Sequence, residues 1–218
     1  MILGIYGAGG LGREVYELAL IINAKENRWE EIIFIDDSIS NANKSRIPIF
    51  LFSEIKNKFR DDNLEVCIAV GEPSVRELLF SKLESNNIII ATLIHPEIDI
   101  PESSKIGKGT IICKFVSISC DINIGINIYV HPMTCIGHDA SIGNHSVISS
   151  FVDVAGDCNI GNRSFLAISV VLKQGVNIGD DAIIGLASVV HRDIPNSVIA
   201  LGNPARPMKN NLEKKVFK

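Results

Sequence analysis

IGINIYVHPMTCIGHDASIGNHSVISSFVDVAGDCNIG, residues 124–161, places an aliphatic side chain at every sixth position: Ile124, Val130, Ile136, Ile142, Ile148, Val154 and Ile160. The pattern runs unbroken from Ile94 to Val190. A period of six fits neither the ~3.6 residues of a helical turn nor the two-residue alternation of an isolated strand. Self-similarity at a short fixed period marks a solenoid in which each unit buries its apolar residue against the next. A second period sets the geometry, because Gly107, Gly125, Gly143, Gly161 and Gly179 recur every eighteen residues. Three hexads therefore make one coil of a three-faced parallel β-helix, and successive coils stack about 4.8 Å apart. These glycines are expected to mark a corner that needs backbone freedom a side chain would deny.

The chain upstream reads differently. Met1–Tyr6 is an apolar run that ends in Gly7-Ala8-Gly9-Gly10-Leu11-Gly12, and an amphipathic stretch follows from Arg13 to Ile22. This is strand, glycine turn, helix, with the GxGxxG spacing that lets a phosphate approach backbone amides at a helix N-terminus. A second strand, Ile32–Ile35, ends in Asp36-Asp37, where carboxylates would hold a ribose hydroxyl. A third, Val66–Val70, turns at Gly71-Glu72-Pro73 into a helix ending near Ser85, and Ile88–Leu93 runs directly into the solenoid. The fingerprint alone says NAD. The length admits only a half-Rossmann domain, with room for one nucleotide, so a nucleotide sugar is the expected ligand. Two domains result, 1–93 and 94–218.

Composition narrows the class. The 218 residues are 46% apolar with a formal net charge of −4. No broad basic surface points to nucleic acid, and no apolar run approaches the ~20 residues of a membrane span. The start lacks a basic flank and a cleavage site, which predicts a cytoplasmic protein. Five cysteines without a CxxC pair fit neither a disulfide framework nor a structural zinc site.

The hexads carry Gly or Ala after the aliphatic residue and small residues four places on, such as Thr110, Ala140, Ser146, Ser164 and Ser188. Together with the GAGG turn, the paired aspartates, Ile94-His95-Pro96 and the Gly202–Arg206 ending GNPAR, this resembles the bacterial hexapeptide-repeat sugar acetyltransferases, which include the bacillosamine, perosamine and sialic-acid enzymes. The resemblance implies a left-handed β-helix, acetyl-CoA as co-substrate, a homotrimer with sites between neighbouring solenoids, and a nucleotide sugar on the N-terminal domain at Gly7, Gly9, Gly10, Asp36, Asp37 and Gly71. It implies N-acetylation of a nucleotide-linked amino sugar for surface glycan synthesis, with sugar O-acetylation as the alternative. An alternative of another class is a nucleotide- or zinc-binding solenoid without acyl transfer.

Acyl transfer needs a base for the attacking group and donors for the developing oxyanion. His138 is the candidate base, at the place of the family's catalytic histidine, and Asp139 either orients it or merely caps its own corner, since Asp121, Asp139 and Asp157 share a column. Gly156 lies one coil above His138, and its amide would meet a thioester carbonyl. Ala155, Gly156, Arg206 and Lys209 are the candidate acetyl-CoA contacts, within a C-terminal stretch that also holds Lys214, Lys215 and Lys218. The family's second histidine, nine residues past the base, is Val147 here, and His145 reads as a residue of an outward polar row. His95 and His131, each before a proline, read as structural, and no metal is expected.

Overall fold

The structure, a computed structural model, describes residues 1–38, 47–59 and 63–217. The N-terminal domain comprises β1 (Ile2–Tyr6), α1 (Gly10–Glu26), β2 (Glu31–Ile35), β3 (Ile49–Phe50), α2 (Phe52–Lys58), β4 (Leu64–Ile68), α3 (Pro73–Ser85) and β5 (Ile89–Ile90). Its sheet is parallel, in the order β3-β2-β1-β4-β5. The sheet is therefore wider than the sequence suggests: β3, β5 and α2 are too short to carry a period. Helix α1 buries Val15, Leu18, Ala19 and Ile22, the i, i+3, i+4 stripe of an amphipathic helix, and ends on Asn27 in the left-handed conformation. Helix α3 starts on Pro73, which needs no backbone donor there.

The solenoid opens at Leu93–Ile94 and stacks two-residue strands on three faces. One face pairs the strands at 105–106, 123–124, 141–142, 159–160 and 177–178; another those at 117–118, 135–136, 153–154, 171–172 and 189–190. The remaining face begins at 93–94 and ends in a hairpin of Val198–Leu201 with Arg206–Asn210. In every coil strand the hexad residue is the inward one, and together these residues form one continuous apolar core. The prism is the left-handed parallel β-helix that the resemblance implies.

The glycine column has a different cause from the one expected. Its members are not the left-handed residues; those are Asn127, His145, Arg163 and Asp181 at one corner, Phe115, Met133 and Phe151 at the second, and Asp121, Asp139 and Asp157 at the third. The glycines are required because coils press together there: a Cβ on Gly143 would lie 2.6 Å from Asn162 N, and one on Gly161 2.5 Å from Asp180 N. Asn144, Asn162 and Asp180 accept amides of the preceding coil, which knits the same column.

The face that starts at 93–94 carries the N-terminal domain. Its outward residues Ile111, Tyr129, Val147, Phe165 and Ile183 are all buried, forming one core with Leu3, Ile5, Val15 and Leu18. Beside this layer, Arg76 of α3 is fully buried, donating to Ile68 O (2.8 Å), Val70 O (3.0 Å), Asn127 O and Asn127 Oδ1 (2.7 Å). Asn127 Nδ2 donates back to Arg76 O and meets His145 Nδ1 at 3.0 Å, while Phe80 packs edge-on to the His145 ring. His145 is thus not part of an outward row: the polar row is the domain junction, and burial lowers the His145 pKa. The chain end is not a free basic tail either. Lys214 pairs with Asp181, and the Val216 and Phe217 amides donate to the Glu72 carboxylate; Lys218 lies outside the described residues.

Among the described residues no helix is long and apolar enough to cross a membrane.

Candidate active site

His138 follows the strand at Cys135–Ile136 and stands at the corner formed by left-handed Asp139 (φ 60°). Because that conformation turns the backbone, the adjacent side chains do not diverge as they would on a strand. His138 Nδ1 lies 2.8 Å from Asp139 Oδ2. A carboxylate only accepts, so Nδ1 carries the proton and Nε2 presents a lone pair. The Asp139 hydrogen bond holds the His138 pKa above the ordinary imidazole value, with the nearby carboxylate charges of Asp139 and Asp157 adding to it. Asp157 holds the same left-handed corner one coil above Asp139. One ligand atom from each of His138, Asp139 and Asp157 lies within 4.8 Å of the others, and Gln174 Nε2 donates to Asp157 Oδ2 at 3.1 Å. Asp139 holds the left-handed corner and also accepts the hydrogen bond of His138, so its geometry is compatible with both sequence alternatives.

The imidazole lies across Gly156. A Cβ there would sit 2.5 Å from both Cε1 and Nε2 of His138. Gly156 is therefore the residue that makes room for the His138 ring. Among the described residues no hydrogen bond uses the amides of Ala155 or Gly156, which leaves both donors uncommitted. Arg206 and Lys209 lie on the exposed terminal hairpin, and among the described residues no hydrogen bond or ion pair joins them to His138.

The glycine turn forms a second locus. Gly7 sits at φ +112°, and a Cβ on it would lie 2.6 Å from Ala69 O, so this glycine is required by the backbone. Gly12 packs α1 against the turn, whereas a Cβ on Gly9 would meet nothing within 4 Å. The Gly9 and Gly10 surface is open. Asp36 Oδ2 accepts the Ala8 amide at 2.9 Å and braces the turn. Asp37 bonds elsewhere, to Tyr6 Oη, to Lys82 Nζ at 2.8 Å and to the Phe52 amide at 2.9 Å. Burial opposes its ionisation, but these donors more than offset it and keep its carboxyl below the usual range.

Between the turn and the solenoid lies a cavity of about 530 Å³, walled by Gly10, Leu11 and Gly71 on one side, Val147 and Phe165 on the other, and Phe217 at its end. It sits outside the carboxyl ends of β1 and β4, the switch point at which parallel sheets bind ligands. Val147, at the family's second-histidine position, is a buried member of this apolar layer. His131 borders the cavity, its pKa pushed down to about 4 by burial and by Arg76. His131 and His145 both lie on the side that carries the N-terminal domain, within reach of the Arg76 charge, whereas His138 clusters with Asp139 and Asp157; among the described residues the three histidines do not converge. Cys120 and Cys135 are exposed, while Cys67, Cys113 and Cys158 are the buried small hydrophobes.

The sequence model of the PglD N-terminal domain matches residues 3–83. Over nearly its full length the chain superposes on PerB from Caulobacter crescentus, solved with CoA and GDP-perosamine: TM-score 0.85, 25% identity, 95% of this chain and 97% of that one. The chain is similar over nearly its whole length to solved sugar acetyltransferases, and it shares their fold. WeeI from Acinetobacter baumannii AYE gives a TM-score of 0.86 at 28% identity, over 95% of this chain and 100% of that one. GDP-perosamine N-acetyltransferase of Escherichia coli O157:H7 is 27% identical over 137 residues, 58% of this chain. That match spans 59% of the relative's length.

Proposed function

We propose that the protein is an acetyl-CoA-dependent N-acetyltransferase that acts on the amine of a nucleotide-linked amino sugar in surface glycan synthesis. The observation that carries the reading is the His138–Asp139 pair, with the base's Nε2 seated against Gly156, on a fold whose relatives are named for this chemistry. The sugar amine attacks the thioester carbon, and His138 Nε2 takes its proton as the C–N bond forms. The Gly156 amide, and the Ala155 amide beside it, donate to the oxyanion. Collapse breaks the C–S bond and expels the CoA thiolate. No covalent intermediate on the enzyme is needed.

Residues 1–93 serve as the nucleotide-sugar domain, with Gly7, Gly9, Gly10, Asp36 and Gly71 around the diphosphate and ribose and Asp37 behind them. Residues 94–218 serve as the transferase domain, with Arg206 and Lys209 offered to the phosphates of CoA. His138 is absent from the cavity beside the glycine turn, so a neighbouring protomer must bring the sugar and the base together. The exposed Phe115, Met133 and Phe151, stacked at one corner, give such a neighbour an apolar stripe to cover. A homotrimer in the cytoplasm is the assembly this reading requires.

The test is thiol release from acetyl-CoA with GDP-perosamine, a UDP-linked amino sugar and a GDP-hexose lacking the amine. Turnover with an amino sugar, lowered about 10²- to 10⁴-fold in His138→Ala, supports the proposal. Equal turnover of the hydroxyl sugar favours O-acetylation, and His138→Ala with normal turnover ends the proposal.

A further inference from the structure

The last residues of the chain return to the N-terminal domain, and the contact is built rather than incidental. Glu72, at the turn into α3, accepts the Val216 amide at 2.9 Å and the Phe217 amide at 3.0 Å. Asn211 anchors the start of this strap, donating its amide to Ser197 O and its side chain to Asp181 O, and Lys214 pairs with Asp181 at 3.1 Å. The strap holds the Phe217 ring edge-on to Phe165, with centroids 5.6 Å apart, and its Cε2 is 3.4 Å from where a Cβ on Gly71 would be. Yet the Phe217 ring is 56% exposed. An aromatic ring fixed by two anchors and left bare on the wall of a cavity is placed to receive something.

The position of that wall says what. Along the sheet edge, Asp36 lies at the end of β2, the Gly9–Gly10 amides at the N-terminus of α1, and Gly71 beyond β4. A nucleoside diphosphate laid across this row, with ribose at Asp36 and phosphates at the glycine turn, sends its glycosyl group toward Gly71 and Phe217. We propose that the C-terminal strap is a specificity element: Glu72 positions it, and the face of Phe217 stacks on the apolar face of the sugar ring. This rests on the nucleotide-sugar reading given above.

The experiment compares wild type, Phe217→Ala, Phe217→Tyr and Glu72→Gln in steady-state kinetics with GDP-perosamine and acetyl-CoA, alongside calorimetric binding of GDP-perosamine, of GDP and of the UDP-linked amino sugar. A lost ring stacking contact corresponds to about three- to tenfold in affinity. Phe217→Ala should therefore raise KM for GDP-perosamine about three- to tenfold, with acetyl-CoA KM, GDP affinity and melting temperature unchanged. Phe217→Tyr should restore wild-type values, and Glu72→Gln should shift the same KM in the same direction. Unchanged GDP-perosamine KM in Phe217→Ala overturns the proposal, as does an equal loss of GDP affinity, which would place the ring under the nucleoside. Wild type that binds none of GDP-perosamine, GDP and the UDP-linked amino sugar overturns the nucleotide-sugar reading itself, a result seen without any variant.

Discussion

Gly156→Ala isolates the seat of the base. Gly156 does not occupy the left-handed region, so alanine adds no backbone strain. The new Cβ would lie 2.5 Å from Cε1 and Nε2 of His138, against an ordinary contact of 3.4 Å, so the ring must retreat by about 0.9 Å. What obstructs it is not backbone but a half-exposed side chain, which can swing outward. The cost therefore falls on catalysis and leaves stability nearly untouched. A displacement of about 1 Å in a reacting group costs about 10²-fold, equivalent to ~2.7 kcal/mol of barrier. The retreat also pulls Nδ1 off its 2.8 Å contact with Asp139. The expected result is kcat/KM down about 10²-fold, with an unchanged melting temperature and with the acidic limb of the pH profile moved toward that of free imidazole. Thiol release across pH and differential scanning fluorimetry read both quantities. Wild-type turnover in this variant, or a loss that tracks a drop in melting temperature, would refute the reasoning.

Asp139→Asn keeps a residue that tolerates the left-handed corner but removes the charge that raises the His138 pKa. The base works only when neutral, so the wild-type acidic limb should lie above the ordinary imidazole value of about 6.5 and move to lower pH in the variant; a shift upward would sink the assignment. Gly9→Val projects into open space, so it should leave the melting temperature intact and raise KM for the nucleotide sugar while sparing that for acetyl-CoA; equal rises in both would move the phosphate site elsewhere. Arg76→Ala orphans the buried carbonyls of Ile68, Val70 and Asn127 and should cost about 1–3 kcal/mol for each acceptor left unpaired, read as a lower urea midpoint. An unchanged midpoint would mean that water replaces the guanidinium.

The hexads were legible because each coil repeats one packing event: Ile124, Ile142 and Ile160 meet the same core in the same register. The domain junction was not. Ile111, Tyr129, Val147, Phe165 and Ile183 recur at eighteen residues, but outward apolar residues of a face look like chance until a second domain is known to lie on them. Arg76 and His145 are polar types that ordinarily read as surface, and their burial follows from a partner, Asn127, that sits fifty-one residues from Arg76. Periodicity found the glycine column and misassigned its cause, since a recurring glycine signals either torsion or close approach, and only the distances to the next coil decide between them. Asp157 was hidden by the same repetition that exposed the fold.

That repetition also explains how a base arises in a repeating prism. The corner reads Cys120-Asp121, His138-Asp139, Gly156-Asp157 and Gln174-Gly175 in successive coils. Asp121, Asp139 and Asp157 all hold the left-handed turn, a conformation aspartate tolerates well, so an aspartate there suits the backbone before any chemistry is asked of it. A histidine in the preceding position then finds a carboxylate already aimed, and a glycine one coil above supplies both the space for its ring and an uncommitted amide. Gln174 in the next coil holds Asp157 by its carboxylate. Histidine below glycine in one column is what distinguishes this corner from the coils around it, and the proposed acid–base chemistry rests on that pair. In the proposed function the histidine at that corner carries the chemistry, while the aspartate beside it both holds the turn and accepts the ring's hydrogen bond.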